Sequence, residues 1–352
     1  MMFTKQIGID LGTVNTLIYV PKKGIVLNEP SLAVFQKGID KPVAVGFEAK
    51  KMIGRTPSDL TVLAPLKDGV IANYKVTEAM LNSFINKVIG SFQFLKPDII
   101  LSVPAGISSS EKRAITEATL RIGAKNVYLV KEPLLAAIGA GIRINSPTGH
   151  MVVDIGGGTS EVAVISLGSI VASASIKVGG IKIDETIKEY IRKKYNLEVG
   201  SQTAERIKIE ISEDKTSRSS LEKNKLNSTQ KKIVSVSGQD LIEGLPGTIE
   251  IQESEIENCL KETLTEIAQA VKNVLQETPP ELSADILEAG ITLTGGGSMA
   301  KGLVGIIQRE TGISCVLVDE PLFCVIKGIG QSLKNLNTYK KVLTHKNPTF
   351  NS

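Results

Sequence analysis

Residues 7–13 read Ile-Gly-Ile-Asp-Leu-Gly-Thr, and residues 151–159 read Met-Val-Val-Asp-Ile-Gly-Gly-Gly-Thr. Each is an apolar, β-prone run that ends in an aspartate, Asp10 or Asp154, and closes on glycine and threonine. The likeness extends outward from both. Apolar runs at 16–20 and 24–26 follow the first copy, and runs at 162–165 and 168–171 follow the second. Both copies therefore predict strand, turn, strand, turn, strand. Two such units, 144 residues apart at their aspartates, imply two similar domains facing each other. Helical stretches follow each copy, so the expected class is α/β.

An aspartate at a strand end beside a Gly/Thr hairpin suits a nucleotide phosphate and its metal. Glycines let backbone N–H groups approach phosphate oxygens, and a threonine hydroxyl adds a donor. A nearby carboxylate can hold Mg²⁺ through its water shell, because Mg²⁺ loses water reluctantly. One such hairpin alone is an ordinary tight turn. Two in matching context predict a clamp on the phosphates from opposite sides. A third cluster, Leu293-Thr-Gly295-Gly296-Gly297-Ser298, follows another apolar run and precedes a stretch compatible with a helix.

Other nucleotide and catalytic motifs are missing. No Gly-x-x-x-x-Gly-Lys-Ser/Thr occurs, and no Gly-x-Gly-x-x-Gly has an acid about 20 residues on. The three cysteines and two histidines have no metal-ligand spacing, and neither histidine suggests a triad. At 352 residues, 42% hydrophobic and 22% charged, the composition is globular and allows two domains. No apolar run approaches a membrane span, and the sparse cysteines fit a reducing compartment, so a cytoplasmic protein is expected. The net charge of +4 is unevenly placed. Residues 321–352 contain five lysines and no acid, which leaves −1 for the rest. This basicity belongs to a tail and not to a nucleic-acid-binding face.

Between 255 and 276, Ile256, Leu260, Leu264, Ile267, Val271 and Val274 recur at steps of four and three, which predicts a long amphipathic helix. Pro279-Pro280 should block its continuation. A short helix is expected over 203–211, capped by Thr203. The Lys/Ser-rich run at 212–232 reads as a surface loop.

Longer strings resemble the MreB family, within the actin, sugar-kinase and heat-shock-chaperone ATPase superfamily. They are GIDLGTVNTLIYV (8–20), GIVLNEPS (24–31), PLKDGVIANY (65–74), EPLLAAIGAG (132–141), MVVDIGGGTSEVAVISLGSIV (151–171), TAERIKIEI (203–211), TPPEL (278–282) and LTGGGS (293–298). The resemblance covers about residues 5–335. It implies an actin fold, in which two domains with mixed five-stranded sheets flank a nucleotide cleft. Domain I would comprise 1–138 plus 313–340, with an insert near 32–74. Domain II would comprise 139–312, with an insert near 179–242, and 341–352 would form a basic tail.

The resemblance also implies roles for single residues. Asp10 and Asp154 would hold Mg²⁺ through water. Thr13, Val14 and Asn15 would form one phosphate loop, and Gly156, Gly157, Gly158 and Thr159 the other. Glu205 and Lys208 would flank ribose and adenine, and Gly296, Gly297 and Ser298 would close the adenosine pocket. Glu132, before Pro133, matches the acid that positions the attacking water. Two departures stand out: Lys131 precedes Glu132 where many members carry an acid, and Ser160 follows Thr159 where many carry threonine. They bear on the hydrolysis rate more than on nucleotide binding.

The family implies a weak ATPase using ATP/ADP and Mg²⁺, and filaments built head to tail from copies of the chain, with two protofilaments paired antiparallel. ATP against GTP stays open. Members guide wall synthesis in rod-shaped cells, or shape and swimming in wall-less helical ones; the lysine-rich composition and the two departures point to the second setting. Other family paralogues or shape proteins are possible partners. The anionic membrane surface is another expected partner. Residues 90–97 carry Phe92, Phe94 and Leu95 in an expected loop. As bare residues they suit a core equally well, but the family inserts an apolar loop there. Lys340 and Lys341 lie in the acid-free tail. A small-molecule kinase of the same superfamily would need an acceptor-pocket motif, which is not evident. A chaperone ATPase would need a further domain, and a cell-division actin a replaced subdomain and a terminal amphipathic helix.

Overall fold

A computed structural model describes residues 6–89, 96–212 and 233–335. The first half opens with β1 (Gln6–Leu11), β2 (Asn15–Val20) and β3 (Gly24–Pro30). A small module follows: β4 (Ala33–Gln36), β5 (Pro42–Val45), α1 (Phe47–Lys51), β6 (Leu60–Leu63), and the short β7 (Leu66–Lys67) and β8 (Val70–Ile71). The chain then returns through α2 (Tyr74–Ile89), β9 (Asp98–Val103), α3 (Ser109–Arg121), β10 (Asn126–Lys131) and α4 (Glu132–Gly139).

The second half repeats the plan with β11 (His150–Ile155), β12 (Ser160–Ser166) and β13 (Ser169–Ile176). Its small module holds α5 (Gly180–Tyr195), β14 (Leu197–Glu198), α6 (Ser201–Ser212), β15 (Ile233–Asp240) and β16 (Pro246–Gln252). After it come α7 (Glu253–Gln276), α8 (Pro280–Ala289), β17 (Ile291–Thr294), α9 (Leu303–Thr311), β18 (Cys315–Leu317) and α10 (Cys324–Lys334), with 3₁₀ turns at Gly296–Met299 and Pro321–Phe323.

Two five-stranded sheets result, ordered β10-β9-β1-β2-β3 and β13-β12-β11-β17-β18. In each, the Asp-bearing strand lies central, antiparallel to the next strand in sequence and parallel to the strand on its other side. The internal repeat is thus a repeat of sheet topology. The expected mixed five-stranded α/β architecture is present.

Burial follows from these patterns. One apolar cluster fills the first half around Phe84 and Met80, and another fills the second half around Val153, Ile207 and Leu260. A third joins the halves, built from Leu17 and Tyr19 of one sheet, Val152 and Ala163 of the other, and Leu135, Ile326 and Ile329 from α4 and α10. Within it α4 and α10 cross in contact. A methyl group on Gly139 would lie 1.8 Å from the Cys324 carbonyl oxygen, and one on Gly328 would lie 1.9 Å from that of Leu135. Glycine is required at both places because any side chain would separate the backbones.

The stripe expected over 255–276 is buried along α7, as predicted. Two details differ. Pro280 stands at the first position of α8 instead of merely ending α7, since a helix start does not need that residue's N–H. Thr203 is inside α6, which begins at Ser201, and its N–H reaches the Gly200 carbonyl at 3.0 Å; it is not the cap. The expected loop at 212–232 falls, after Ser212, outside the described residues, as do Phe92, Phe94, Leu95, Lys340 and Lys341.

Candidate functional site

The two Gly/Thr hairpins are built alike. In the β1–β2 turn, Gly12 N–H donates to the Asn15 carbonyl at 3.1 Å, and in the β11–β12 turn Gly156 N–H donates to that of Thr159 at 2.8 Å. Each is braced from behind. Ser31 donates its hydroxyl to the Gly12 carbonyl at 2.6 Å. Gly180 and Ile181, at the start of α5, donate to the carbonyls of Gly156 and Gly157 at 3.0 and 2.8 Å. The carbonyls are thereby turned away from the turn face.

The hairpins meet. A Cβ on Gly157 would lie 2.1 Å from a Val14 methyl, and one on Gly158 would lie 2.9 Å from the Thr13 hydroxyl. These glycines thus serve the approach of one hairpin to the other. Gly69, in the β7–β8 turn, lies over both, and its N–H donates to the Thr13 hydroxyl at 3.1 Å. That bond leaves the Thr13 proton available to a ligand.

A cavity of about 300 Å³ opens here. Thr13, Val14, Asn15, Gly156, Gly157, Gly158 and Thr159 line it, with Asp10, Asp154, Glu132, Glu205, Lys208, Gly296 and Gly297. Ser298 does not. It is buried, and its hydroxyl donates to the Gly295 carbonyl at 2.6 Å, which shapes the turn from behind. Residues without a motif complete the wall. Asp184 reads in sequence as one more acid on an amphipathic helix, and Met299, Leu322 and Val325 are apolar residues that reach the cleft from the two 3₁₀ turns and from α10. No local signal marks them.

The floor is acidic. Asp10 accepts from the Ser102 hydroxyl at 2.7 Å, and Asp154 from that of Thr294 at 2.8 Å. Burial raises Asp10 to about 6, against the opposing Ser102 bond. Burial likewise raises Asp154 to about 7; the Thr294 bond opposes it, and the charges of Asp10 and Glu161 add to it. Glu132, the first residue of α4, lies well above the usual carboxylate range through burial and then the charges of Asp10, Asp154 and Glu161. Carboxylates that repel one another, with Asp154 and Glu161 buried and Asp10 and Glu132 half-buried, call for a cation. All are oxygen donors, as Mg²⁺ requires, yet among the described residues no three such side chains converge on one point. That fits an ion completed by water and phosphate oxygens, not an all-protein cage.

The two departures have structural places. Ser160 is fully buried and donates its hydroxyl to the Val178 carbonyl at 2.5 Å, away from the cleft. The exposed Lys131 sends its charge toward Glu161, helping to hold that carboxylate down against burial. Glu161, missed in the sequence, is 1% exposed. It accepts from Ser175 at 2.6 Å and from the Ala105 N–H of the other half at 3.1 Å.

At the other end, Lys208 Nζ lies 2.9 Å from Asp184 and 3.2 Å from the Gly180 carbonyl. Glu205 is held by Lys50, at 2.7 and 3.0 Å from its two oxygens. Among the described residues, no helix is long and apolar enough to cross a membrane.

Comparison with known proteins adds the family. A family model described as MreB/Mbl protein matches residues 4–341. Cell shape-determining protein Mbl of Bacillus subtilis (strain 168) is 46% identical over 340 residues, covering 97% of this chain and 99% of its own. Cell shape-determining protein MreB of Escherichia coli (strain K12) is 44% identical over 343 residues, covering 96% of each. Crystal structures of MreB5 of Spiroplasma citri bound to ADP and to AMPPNP superpose with TM-scores of 0.86 and 0.87 at 34% identity. They cover 96% and 97% of this chain and 99% of theirs.

Proposed function

The chain belongs to the MreB/Mbl family, and from that premise we propose that it is an ATP-binding, filament-forming bacterial actin that serves cell shape. The carrying observation is the pair of matched hairpins, whose braced turns and flanking carboxylates face one cavity from the two halves of the molecule. Structures of a relative at 34% identity hold ADP and AMPPNP, which supports a nucleotide as the occupant.

In this reading Thr13–Asn15 and Gly156–Thr159 bind the phosphates from opposite sides, through backbone N–H groups and the two threonine hydroxyls. Asp10 and Asp154 hold Mg²⁺ through water, and the ion supplies charge neutralisation at the phosphates. Glu132 positions the water that attacks the terminal phosphate. Glu132 is the first residue of α4, which packs against α10 through the shared core. Glu205 and Lys208 take the nucleoside, and Gly296 and Gly297 close over it. Hydrolysis is slow and times filament turnover.

Domain I comprises 1–138 and 318–340 and domain II 139–317, each with its small module; the boundary expected at 312/313 moves because β18 (Cys315–Leu317) pairs with β17 in the sheet of the second half. Copies assemble head to tail, and two protofilaments pair antiparallel without twist. Such a heterologous contact does not close, so open filaments result. The filament lies at the inner face of the membrane, held by the apolar 90–97 segment and the basic tail. The reported relatives at 44–46% identity carry the name cell shape-determining, which favours that role over swimming. Electron microscopy with MgATP should show straight paired protofilaments, and pelleting should require nucleotide. Assembly that ignores nucleotide, or a two-stranded twisted helix, would count against the reading.

A further inference from the structure

One side chain of the first half reaches across to a residue of the second that lines the cavity. Lys50 stands near the end of α1, in the small module of the first half, and Glu205 stands on α6, in that of the second. They are 155 positions apart in the chain, yet Lys50 Nζ donates to both carboxylate oxygens. Gln202, three residues before Glu205 and on the same helix face, donates its side-chain amide to the Lys50 backbone carbonyl at 2.8 Å. That carbonyl also accepts from Ile53 N–H at 3.3 Å, so both of its lone pairs are used. Lysine and glutamate are only about a third exposed, at 32% and 28%.

Glu205 lines the cavity. A carboxylate offers about four lone-pair sites, two on each oxygen. Lys50 takes one on each, which fixes the plane of the group and leaves one acceptor on each oxygen. Two adjacent acceptors match the two hydroxyls of a vicinal diol. The charge matters as well. Asp184 faces the same end of the cavity, and the Glu205 charge disfavours its ionisation while the Lys50 charge favours it. Without Lys50 the nucleoside end would hold two acids against Lys208 alone.

We propose that Lys50 is a positioning residue for Glu205, reaching across from the opposite half to orient a carboxylate that reads the ribose diol. This rests on the reading of the cavity as a nucleotide site. Sugar recognition is then a property of the closed cleft, since neither half contains both members. Opening the halves releases Glu205 from its orientation and weakens its hold on the sugar together.

The test compares ATP with 2′-deoxy-ATP, both with Mg²⁺, by equilibrium dialysis of the full chain. Dissociation of labelled nucleotide after a chase is read alongside. The parent should prefer ATP. Lys50→Ala should narrow that preference by about tenfold, the scale of a charge-assisted hydrogen bond, and speed ATP release. Lys50→Arg, which can still span both oxygens, should restore most of the preference. Equal weakening of both nucleotides by Lys50→Ala, an unchanged preference, or a parent indifferent to the 2′-hydroxyl overturns the inference while leaving the nucleotide site intact. A parent that binds neither nucleotide overturns the underlying reading as well.

Discussion

Thr294, the last residue of β17, donates its hydroxyl to Asp154 Oδ1 at 2.8 Å, and both residues are buried. The parallel register sets them side by side on neighbouring strands. This bond is the main influence holding the Asp154 carboxyl down against burial, so it favours the charged form that a cation needs. Thr294→Val keeps the shape and removes the donor. A hydrogen bond to a charged group is worth about 1.5–3 kcal/mol, so affinity for MgADP should fall about tenfold or more. Calorimetric titration checks this, and an unchanged affinity would detach Thr294 from the site.

Glu132→Ala should slow phosphate release by about 10²-fold or more, the usual scale for a positioned acid–base group. Nucleotide binding and nucleotide-dependent pelleting should persist, because Glu132 is not among the residues that grip phosphate. Hydrolysis at the parent rate would show that its assigned role is wrong. Lys131→Glu addresses the neighbouring departure. Because the Lys131 charge is directed at Glu161 and not at Glu132, this variant should keep hydrolysis within about twofold.

pH acts with opposite sign on the empty and the loaded protein. Asp154 is raised to about 7 and Asp10 to about 6, from an ordinary 3.8. Below those values the folded, nucleotide-free protein binds protons that the unfolded chain does not. The contribution of these two groups to its stability therefore rises as pH falls from 8 toward 5. Mg²⁺ needs the charged forms, so protons compete with it. Affinity for MgATP should drop below pH 7, by about tenfold per unit for one competing proton. Thermal melting with and without MgATP across this range reads both trends, and parallel curves would contradict them.

Gly328→Ala and Gly139→Ala should each destabilise the protein, since the added methyl meets a backbone carbonyl at the α4–α10 crossing. Overpacking of this kind costs about 1–3 kcal/mol, a drop of several degrees in melting temperature. Gly106→Ala, where a methyl group meets nothing within 4 Å, is the control and should melt near the parent. Equal melting of all three variants would refute the close crossing.

Anionic vesicles should pellet the protein, and salt should weaken the binding. Phe94→Ala or truncation after Lys334 should weaken it further. Each buried ring contributes on the order of 1.5–3 kcal/mol and each lysine near an anionic surface about 1 kcal/mol. Single signals of this size hold weakly, whereas a filament multiplies them. Equal co-sedimentation with neutral and anionic vesicles would remove the tail from the account.

The mixed five-stranded sheets were implied only by the family resemblance, whereas the residues by themselves determined the paired hairpins, the α/β class and the long helix α7. Those features are local: an aspartate at a strand end, glycines at a turn and apolar residues in a repeating step act through near neighbours. Lining residues Asp10, Asp154 and Gly156–Thr159 were legible for the same reason. The tertiary structure alone decided that Lys50 meets Glu205, that Asp184 faces the cleft and that Glu161 is tied to Ala105. It also turned Ser298 and Ser160 away from the cavity, because each hydroxyl found a backbone carbonyl in its own surroundings. Contacts between the halves depend on how the shared core of Leu17, Tyr19, Val152, Ala163, Ile326 and Ile329 sets one sheet against the other. Periodicity records which face of an element is apolar, but not which residue of a distant element that face will bring within reach of a charge.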